Sequence, residues 1–249
     1  MIFIKNNKEI DLMRSAGKIV AETLLLVEEK VRPGITTAEL DRIAEEFITK
    51  HGAKPSFKGL YGFPASLCIS VNEQVVHGIP GGYVLKDGDI ISVDCGACIN
   101  GFHGDAARTF GVGNITEEAQ KLINVTKESF FKGIEYAKVG NRLTDISHGI
   151  QSYVEAEGFS VVRDFVGHGI GRVVHEDPDI PNYGRPGRGP KLAEGMALAI
   201  EPMVNVGNYK VKTLSNDWTV VTSDGSLSAH YENTIVILPD GPEILTLIK

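Results

Sequence analysis

Two apolar runs separated by Asn100-Gly101 constrain the fold more than any other stretch of the sequence. Asn-Gly is typical of a two-residue β-hairpin loop, because both central residues of a type I′ turn need a positive φ. The sequence therefore predicts a hairpin over residues 90–110. With Asn100 and Gly101 as the loop, Ile99 pairs with Phe102, and this register extends along both strands.

The register puts two carboxylates on one face of the hairpin. Gly96 lies opposite Asp105, and Asp94 lies opposite Ala107, so the two aspartates are diagonal neighbours about 7–8 Å apart at Cα. Two acids on an apolar hairpin repel each other unless a cation lies between them or one keeps its proton. We interpret the pair as a metal site; the alternative is that one aspartate faces solvent on an edge strand.

Composition is that of an ordinary globular protein. The 249 residues, 42% hydrophobic and 23% charged, provide enough length for a large core. The net charge of −7 and the lack of a basic run make nucleic acid and anionic membranes poor partners. The sequence begins without the long apolar core of a signal peptide, and no apolar stretch is long enough to span a bilayer. We therefore expect a cytoplasmic protein.

The cysteines predict neither a disulfide framework nor a shared metal or redox site. The three cysteines argue against a disulfide framework. Cys95 and Cys98 form a C-x-x-C motif, but residues three apart on a strand point to opposite faces, so the two thiols cannot easily share a ligand.

Four helices are predicted from apolar positions at helical spacing, in two pairs separated by the hairpin. A weak internal repeat relates the pairs, because Gly34 and Gly140 are 106 residues apart, as are Gly52 and Gly158. We expect an α+β fold with pseudo-twofold halves at about 1–113 and 114–249, in a single domain over residues 1–249. The predicted helices cover about 7–30, 36–52, 116–137 and 143–157. Strands are predicted at 66–76, 161–166, 196–206, 210–222 and 231–238, and a loop at 177–190.

Three residues of the second half are candidates to join the aspartate pair. His168 is flanked by glycines that allow close backbone approach, while Glu201 ends one apolar run and Glu232 begins another. Taken singly, each has a structural interpretation, as a capped or salt-bridged acid or a hydrogen-bonded histidine. Together with the aspartates they form an oxygen-rich set, which suits two divalent cations bridged by carboxylates and a water.

These motifs resemble those of the type I methionine aminopeptidases, and the similarity covers essentially the whole chain. That family has the duplicated pita-bread fold, a curved antiparallel sheet covered by helices. The resemblance implies a site with two divalent metal ions, whose identity among Co²⁺, Mn²⁺, Fe²⁺ and Zn²⁺ the sequence does not determine. The implied ligands are Asp94, Asp105, His168, Glu201 and Glu232. The matching motifs are Asp94 with Asp105 eleven residues on, Gly167-His168-Gly169-Ile170-Gly171, Ile200-Glu201-Pro202-Met203 and Tyr231-Glu232-Asn233-Thr234.

The activity implied is removal of the N-terminal methionine from nascent proteins and peptides when the second residue is small. A water or hydroxide that bridges the metals would attack the first peptide bond, with Glu201 as the proton shuttle. His77 resembles the family histidine that contacts the substrate backbone, and His175 resembles the one that stabilises the tetrahedral intermediate. Without the resemblance, His77 would be a turn residue and His175 a surface histidine.

The resemblance also implies an apolar pocket for the methionine side chain. For Phe63 and Trp218, ordinary core packing is the alternative. Phe63 stands where a tyrosine is common in the family, and Val174 where a bulkier aromatic residue occurs, which affects the shape of the pocket and not the reaction. The pocket residues implied are Phe63, Cys68 and Trp218, with Leu60, Tyr61 and Val174 nearby.

Two other classes of pita-bread protein are alternatives. Prolidases and aminopeptidase P share much of the metal set but usually carry an extra N-terminal domain, for which this sequence has no room. A non-enzymatic binding protein of this fold would typically have lost metal ligands, and all five are present here. The partners expected of the enzyme are the N-termini of nascent polypeptides, with transient ribosome association, no nucleic acid, no membrane and a monomeric state.

Overall fold

The helices and strands form two similar series in the computed structural model, which describes residues 1–248. The helices are α1 (Asn7–Lys30), α2 (Thr37–Lys50), α3 (Glu117–Ile134) and α4 (Leu143–Ala156). The strands of the first half are β1 (Lys54–Pro55), β2 (Leu67–Val71), β3 (Gln74–Val76), β4 (Ile90–Ile99) and β5 (Phe102–Gly111). Those of the second half are β6 (Ser160–Val161), β7 (Gly167–Gly169), β8 (Glu176–Ile180), β9 (Ala197–Ile200), β10 (Met203–Asn205), β11 (Val211–Thr213), β12 (Val220–Thr222), β13 (Ser228–His230), β14 (Asn233–Leu238) and β15 (Gly241–Ile244).

The hairpin of β4 and β5 has the predicted register. Ile99 pairs with Phe102 and Gly96 with Asp105, while Asn100 and Gly101 have φ values of 54° and 78°. Both central residues thus lie in the left-handed region that a type I′ turn requires. Strands β1 and β2 pair with successive parts of the other edge of β4.

The antiparallel sheets of the second half meet the hairpin through its outer strand. One sheet has the order β15-β14-β9-β7-β8, and two three-stranded sheets have the orders β13-β10-β6 and β11-β12-β3. Ala107 of β5 exchanges two backbone hydrogen bonds with Glu232, which immediately precedes β14. These bonds join the halves at the point where residues of both halves carry carboxylates. The α+β prediction is confirmed.

Helices cover the sheets because each buries one apolar stripe. Asn6 caps α1 by accepting hydrogen bonds from Lys8 and Glu9, and the Glu9 side chain completes the capping box. The buried residues of α1 and α2 pack with those of β2, β4 and β5 in one core cluster, whereas α3 and α4 pack on the strands of the second half. Within residues 1–248, no helix combines the length and apolarity needed to cross a membrane.

The internal repeat is visible in the second helix of each pair. Helices α2 and α4 both contain 14 residues and begin at equivalent positions of the repeat. Gly34 and Gly140, which precede them, have φ values of 91° and 94°. Gly52 and Gly158, which follow them, have φ values of 75° and 88°. The four glycines thus provide left-handed backbone at matching turns.

Several strand predictions were too long, and one loop prediction was wrong in part. Residues 177–190 were expected to be a loop, but their first part belongs to β8 (Glu176–Ile180), an edge strand that pairs with β7. An edge position tolerates Pro178, because a missing N–H costs nothing on the unpaired side. The predicted strand 196–206 is interrupted at Glu201-Pro202, since proline cannot donate to the ladder. The predicted strands at 66–76 and 210–222 each divide into two, and the one at 161–166 reaches only Val161.

Replacement of Gly104 by alanine should destabilise the protein. A Cβ on Gly104 would lie 2.8 Å from the backbone nitrogen of Gly17 in α1, closer than backbone atoms allow. We expect the free energy of unfolding to fall by about 1–3 kcal/mol, because the helix must move away from the hairpin. Denaturant titration measures this change. Gly82→Ala is the matched control, since a Cβ there meets nothing within 4 Å; equal losses in the two variants would contradict the explanation.

Candidate metal centre

Asp94 and Asp105 lie on the same face of the hairpin, as their register requires. Asp94 is opposite Ala107, and Asp105 is opposite Gly96. One oxygen of each carboxylate, Oδ1, is buried without a hydrogen-bond partner among the described residues. Unpartnered buried acceptors are rare because each one costs the free energy of its lost hydration. The two oxygens therefore indicate a missing positive partner.

His168 turns one ring nitrogen toward these carboxylates. Its Nδ1 is 2.9 Å from the carbonyl oxygen of Gly169, to which it donates a hydrogen bond. The Nε2 lone pair is then free, and it lies 4.0 Å from Asp105 Oδ2 and 3.8 Å from Glu201 Oε1. Metal-binding histidines usually donate the other ring N–H to a carbonyl or carboxylate in this way, which fixes the tautomer.

Glu201 and Glu232 follow and precede paired strands, which fixes their backbones. Asn182 donates a hydrogen bond to the carbonyl of Glu201 at 3.0 Å. Glu232 is 2% exposed, and its Oε1 has no hydrogen-bond partner among the described residues. Ligand atoms of Asp105, His168 and Glu232 all lie within 4.8 Å of one another, and so do those of Glu201, His230 and Glu232. Two overlapping groups of donors thus share Glu232.

Burial makes this cluster hold its carboxylic protons. It raises the pKa of Asp94 to about 7 and also raises the pKa values of Asp105, Glu201 and Glu232, in which neighbouring carboxylates add to the effect. Burial lowers the pKa of His168 to about 4, so this imidazole is neutral at pH 7 and keeps a lone pair. Several acids that repel one another beside a neutral imidazole fit divalent cations, which need oxygen and nitrogen donors in their deprotonated forms.

Chelator-treated protein should lose stability as the pH rises above about 6.5. In this range the folded state still holds carboxylic protons, whereas the unfolded chain has released them near pH 4. Because the unfolded state binds fewer protons, a rise in pH lowers the free energy of unfolding. The histidines act in the opposite direction only below about pH 6.5. We expect the Tm to fall by about 5 °C or more. Scanning calorimetry checks this result, and a Tm that rises with pH would contradict it.

A cavity of about 490 Å³ opens next to the cluster. On one side its wall is apolar, where the rings of Phe63 and Trp218 meet edge to face with centroids 5.1 Å apart. Cys68 lies in the same apolar group, and burial raises the pKa of its thiol, so the side chain is a neutral apolar surface. Every candidate site residue except Val174 lines the cavity: Leu60, Tyr61, Phe63, Cys68, His77, Asp94, Asp105, His168, His175, Glu201, Trp218 and Glu232. Val174 packs behind the wall, in contact with the apolar group.

Two histidines lie at the cavity beside the carboxylates. His77 has a φ of 58°, and its ring packs edge to face on Phe165 with centroids 5.5 Å apart. The His175 ring lies 4.5 Å from that of His168 and stacks on Tyr61 at 5.8 Å. Burial lowers the pKa of His77 to about 4 and also lowers that of His175. Both are therefore neutral hydrogen-bonding groups at pH 7.

Sequence reasoning missed some residues of the site. His230 was assigned no role, yet it belongs to one of the two donor groups. The signal was its position two residues before Glu232, because alternate residues of an extended segment share a face. Phe57 and Phe165 also line the cavity. Nothing in the sequence distinguished these two from core residues.

Comparison with known proteins is consistent across sequence and structure. A sequence profile described as "Metallopeptidase family M24" matches residues 11–239. A methionine aminopeptidase of Clostridium perfringens is 79% identical over the full length of both chains. The crystal structure of a methionine aminopeptidase from Thermotoga maritima is 50% identical, covers both chains completely and has a TM-score of 0.98. The prolidase of Pyrococcus furiosus has a TM-score of 0.81 at 23% identity, over 99% of this chain and 66% of that one, which shows the shared fold alone.

Proposed function

The chain belongs to metallopeptidase family M24, and from this premise we propose that it is a metal-dependent aminopeptidase that removes N-terminal methionine from nascent proteins and peptides. The observation that carries the proposal is the cavity, in which an apolar wall adjoins buried carboxylates. A methionine side chain fits the wall formed by Phe63, Cys68 and Trp218, and its peptide bond would then face the carboxylate cluster.

Metal binding is assigned to the cluster on its donor set. Asp94, Asp105, His168, Glu201 and Glu232 would hold two divalent ions, and the ligand atoms of Asp105, His168 and Glu232 already lie within 4.8 Å of one another. When bound, two such ions lower the pKa of a shared water and polarise the scissile carbonyl. The carboxylates lose their protons on binding, so metal affinity rises with pH.

Glu201 is proposed to move the proton of the reaction. Its carboxylate lines the cavity 3.8 Å from His168 Nε2, and burial raises its pKa, so it can accept a proton from the attacking water and release it to the leaving nitrogen. His175 would donate a hydrogen bond to the oxygen on which negative charge develops, and His77 would contact the substrate backbone. A neutral imidazole is suited to both tasks, since it carries one N–H.

The apolar wall of the cavity would select methionine as the first residue of the substrate. The exposed edge of the cavity, where Tyr61 lies, would select a small second residue. Tyr61 stacks on His175 at the cavity and is 76% exposed, so it would lie beside the second residue of the substrate.

We further propose that residues 1–249 act as one catalytic domain with halves at about 1–113 and 114–249. A monomer in the cytoplasm, in transient contact with the ribosome, is proposed as its working state.

The test is methionine release from Met-Ala-Ser after chelation and reloading with Mn²⁺, Fe²⁺, Co²⁺ or Zn²⁺ in turn. Ala-Pro-Ala is the control substrate, since the prolidases share the fold. We expect cleavage of the methionine peptide only, and binding of two ions per chain by calorimetry. Cleavage of only the proline peptide would assign the chain to the prolidase type. Absence of both metal binding and chelator-sensitive cleavage would identify a binding protein instead.

A further inference from the structure

His230 lies behind the carboxylates and is not accounted for by the proposed reaction. Its side chain is fully enclosed, at 2% exposure, and its Nε2 has no hydrogen-bond partner among the described residues. This nitrogen lies 3.6 Å from Glu201 Oε2 and 3.8 Å from Glu232 Oε2. Both distances exceed a hydrogen bond. A buried polar group is thus aimed at two carboxylates without a bond to either.

The backbone of His230 is fixed on both sides. Its N–H donates to Thr109 Oγ1 at 2.9 Å, and its carbonyl accepts a hydrogen bond from the same hydroxyl at 2.8 Å. In the β10–β13 pair, His230 is opposite Met203, which lies two residues after Glu201. These bonds fix the backbone from which the imidazole projects toward the carboxylates.

The two oxygens of Glu201 face different imidazoles. Oε1 lies nearest to His168, at 3.8 Å from its Nε2, whereas Oε2 lies nearest to His230, at 3.6 Å. The Nδ1 of His168 donates to a backbone carbonyl, which leaves a lone pair at Nε2. The Nε2 of His230 faces two acceptor oxygens instead. Once metal binding has removed the protons of the carboxylates, a lone pair there would be repelled by both oxygens, whereas an N–H would be attracted to both.

We propose that His230 is a positioning residue, whose Nε2–H holds Oε2 of Glu201 so that Oε1 faces His168 and the metal centre. This inference rests on the proposed metallopeptidase function. A carboxylate held by a second group loses less freedom when it binds a metal. Outer partners of this kind typically change metal affinity or activity by about 10- to 100-fold.

The test compares His230→Leu, which fills the space without a donor, with His230→Gln, which keeps an N–H near the same place. Isothermal calorimetry of chelator-treated protein with Mn²⁺ measures metal affinity. We expect affinity to fall about 10- to 100-fold in the leucine variant and by less than about threefold in the glutamine variant. His148→Gln, on an exposed face of α4, is the control. If the leucine variant does not fold, His230→Met replaces it as the variant without a donor.

Each of three results would overturn the proposal. One is unchanged Mn²⁺ affinity in a folded variant without a donor. Another is a glutamine variant as weak as the leucine variant. A changed visible spectrum of the Co²⁺-saturated glutamine variant would also overturn it, because His230 would then be a metal ligand itself. Calorimetry does not depend on peptide cleavage. If the wild-type protein binds metal but releases no methionine, the proposed function fails while the affinity comparison still decides the role of His230.

Discussion

Replacement of Glu201 by glutamine should leave the fold intact and lower kcat for Met-Ala-Ser by about 100- to 10,000-fold. The amide has nearly the same shape as the carboxylate, and the backbone bond from Asn182 does not involve the side chain. The amide cannot accept the proton of the attacking water, however, and loses the charge that supports metal binding. The KM should change far less than kcat, because the apolar wall that would bind methionine is untouched.

Steady-state kinetics at saturating metal measures this effect, and calorimetry reports how much of it comes from weaker metal binding. Glu194→Gln is the matched control, since Glu194 is exposed and is not among the residues that line the cavity. Turnover within a few-fold of the wild-type value would remove Glu201 from its proposed role as proton shuttle. A loss confined to KM would assign it to substrate binding instead.

The Asp105→Asn variant should change two properties in opposite directions. Metal affinity should fall by about 100-fold or more, since a ligand is expected to contribute at least as much as its outer partners. The metal-free protein should become more stable at pH 8, because a neutral amide replaces an acid whose pKa is raised by burial and by the charges of Asp94 and Glu201. The amide N–H groups can also donate to those carboxylates.

Calorimetry with Mn²⁺ and thermal melting of the chelator-treated protein measure the two changes, with Asp240→Asn on an exposed turn as the control. General damage to the fold would lower both the affinity and the Tm. A lower Tm for the metal-free variant would therefore contradict the view that Asp105 is held in the cluster at a cost to stability.

Local signals predicted the first half of the site well. The Asn100-Gly101 turn set the register of the hairpin, and the register alone put Asp94 and Asp105 on one face. The glycines that precede and follow α2 and α4 marked the turns at the ends of these helices correctly. In each case the physical cause is a short-range requirement for backbone of positive φ, which the residue type reveals directly.

Features that depend on distant contacts could not be predicted in this way. The approach of His168 to Asp105 depends on how the halves meet. Its flanking glycines made His168 a candidate, and the family resemblance assigned it as a ligand. His230 was overlooked because it matched no role in the family and lies just outside the predicted strand 231–238. Val174 was expected near the pocket, but alternation along the chain does not reveal that it packs behind the wall. The strand β8 was hidden by Pro178, because proline disfavours a strand unless it lies at an edge.

The backbone pairing of Ala107 with Glu232 means that the candidate metal centre can form only after both halves of the chain have been synthesised. A nascent chain that has emerged only as far as the hairpin presents Asp94 and Asp105 without the histidine and glutamates that would share a cation with them. Such a fragment has no complete set of donors and no reason to retain metal. On the proposed ligand set, metal binding would therefore begin only after the second half has joined the first.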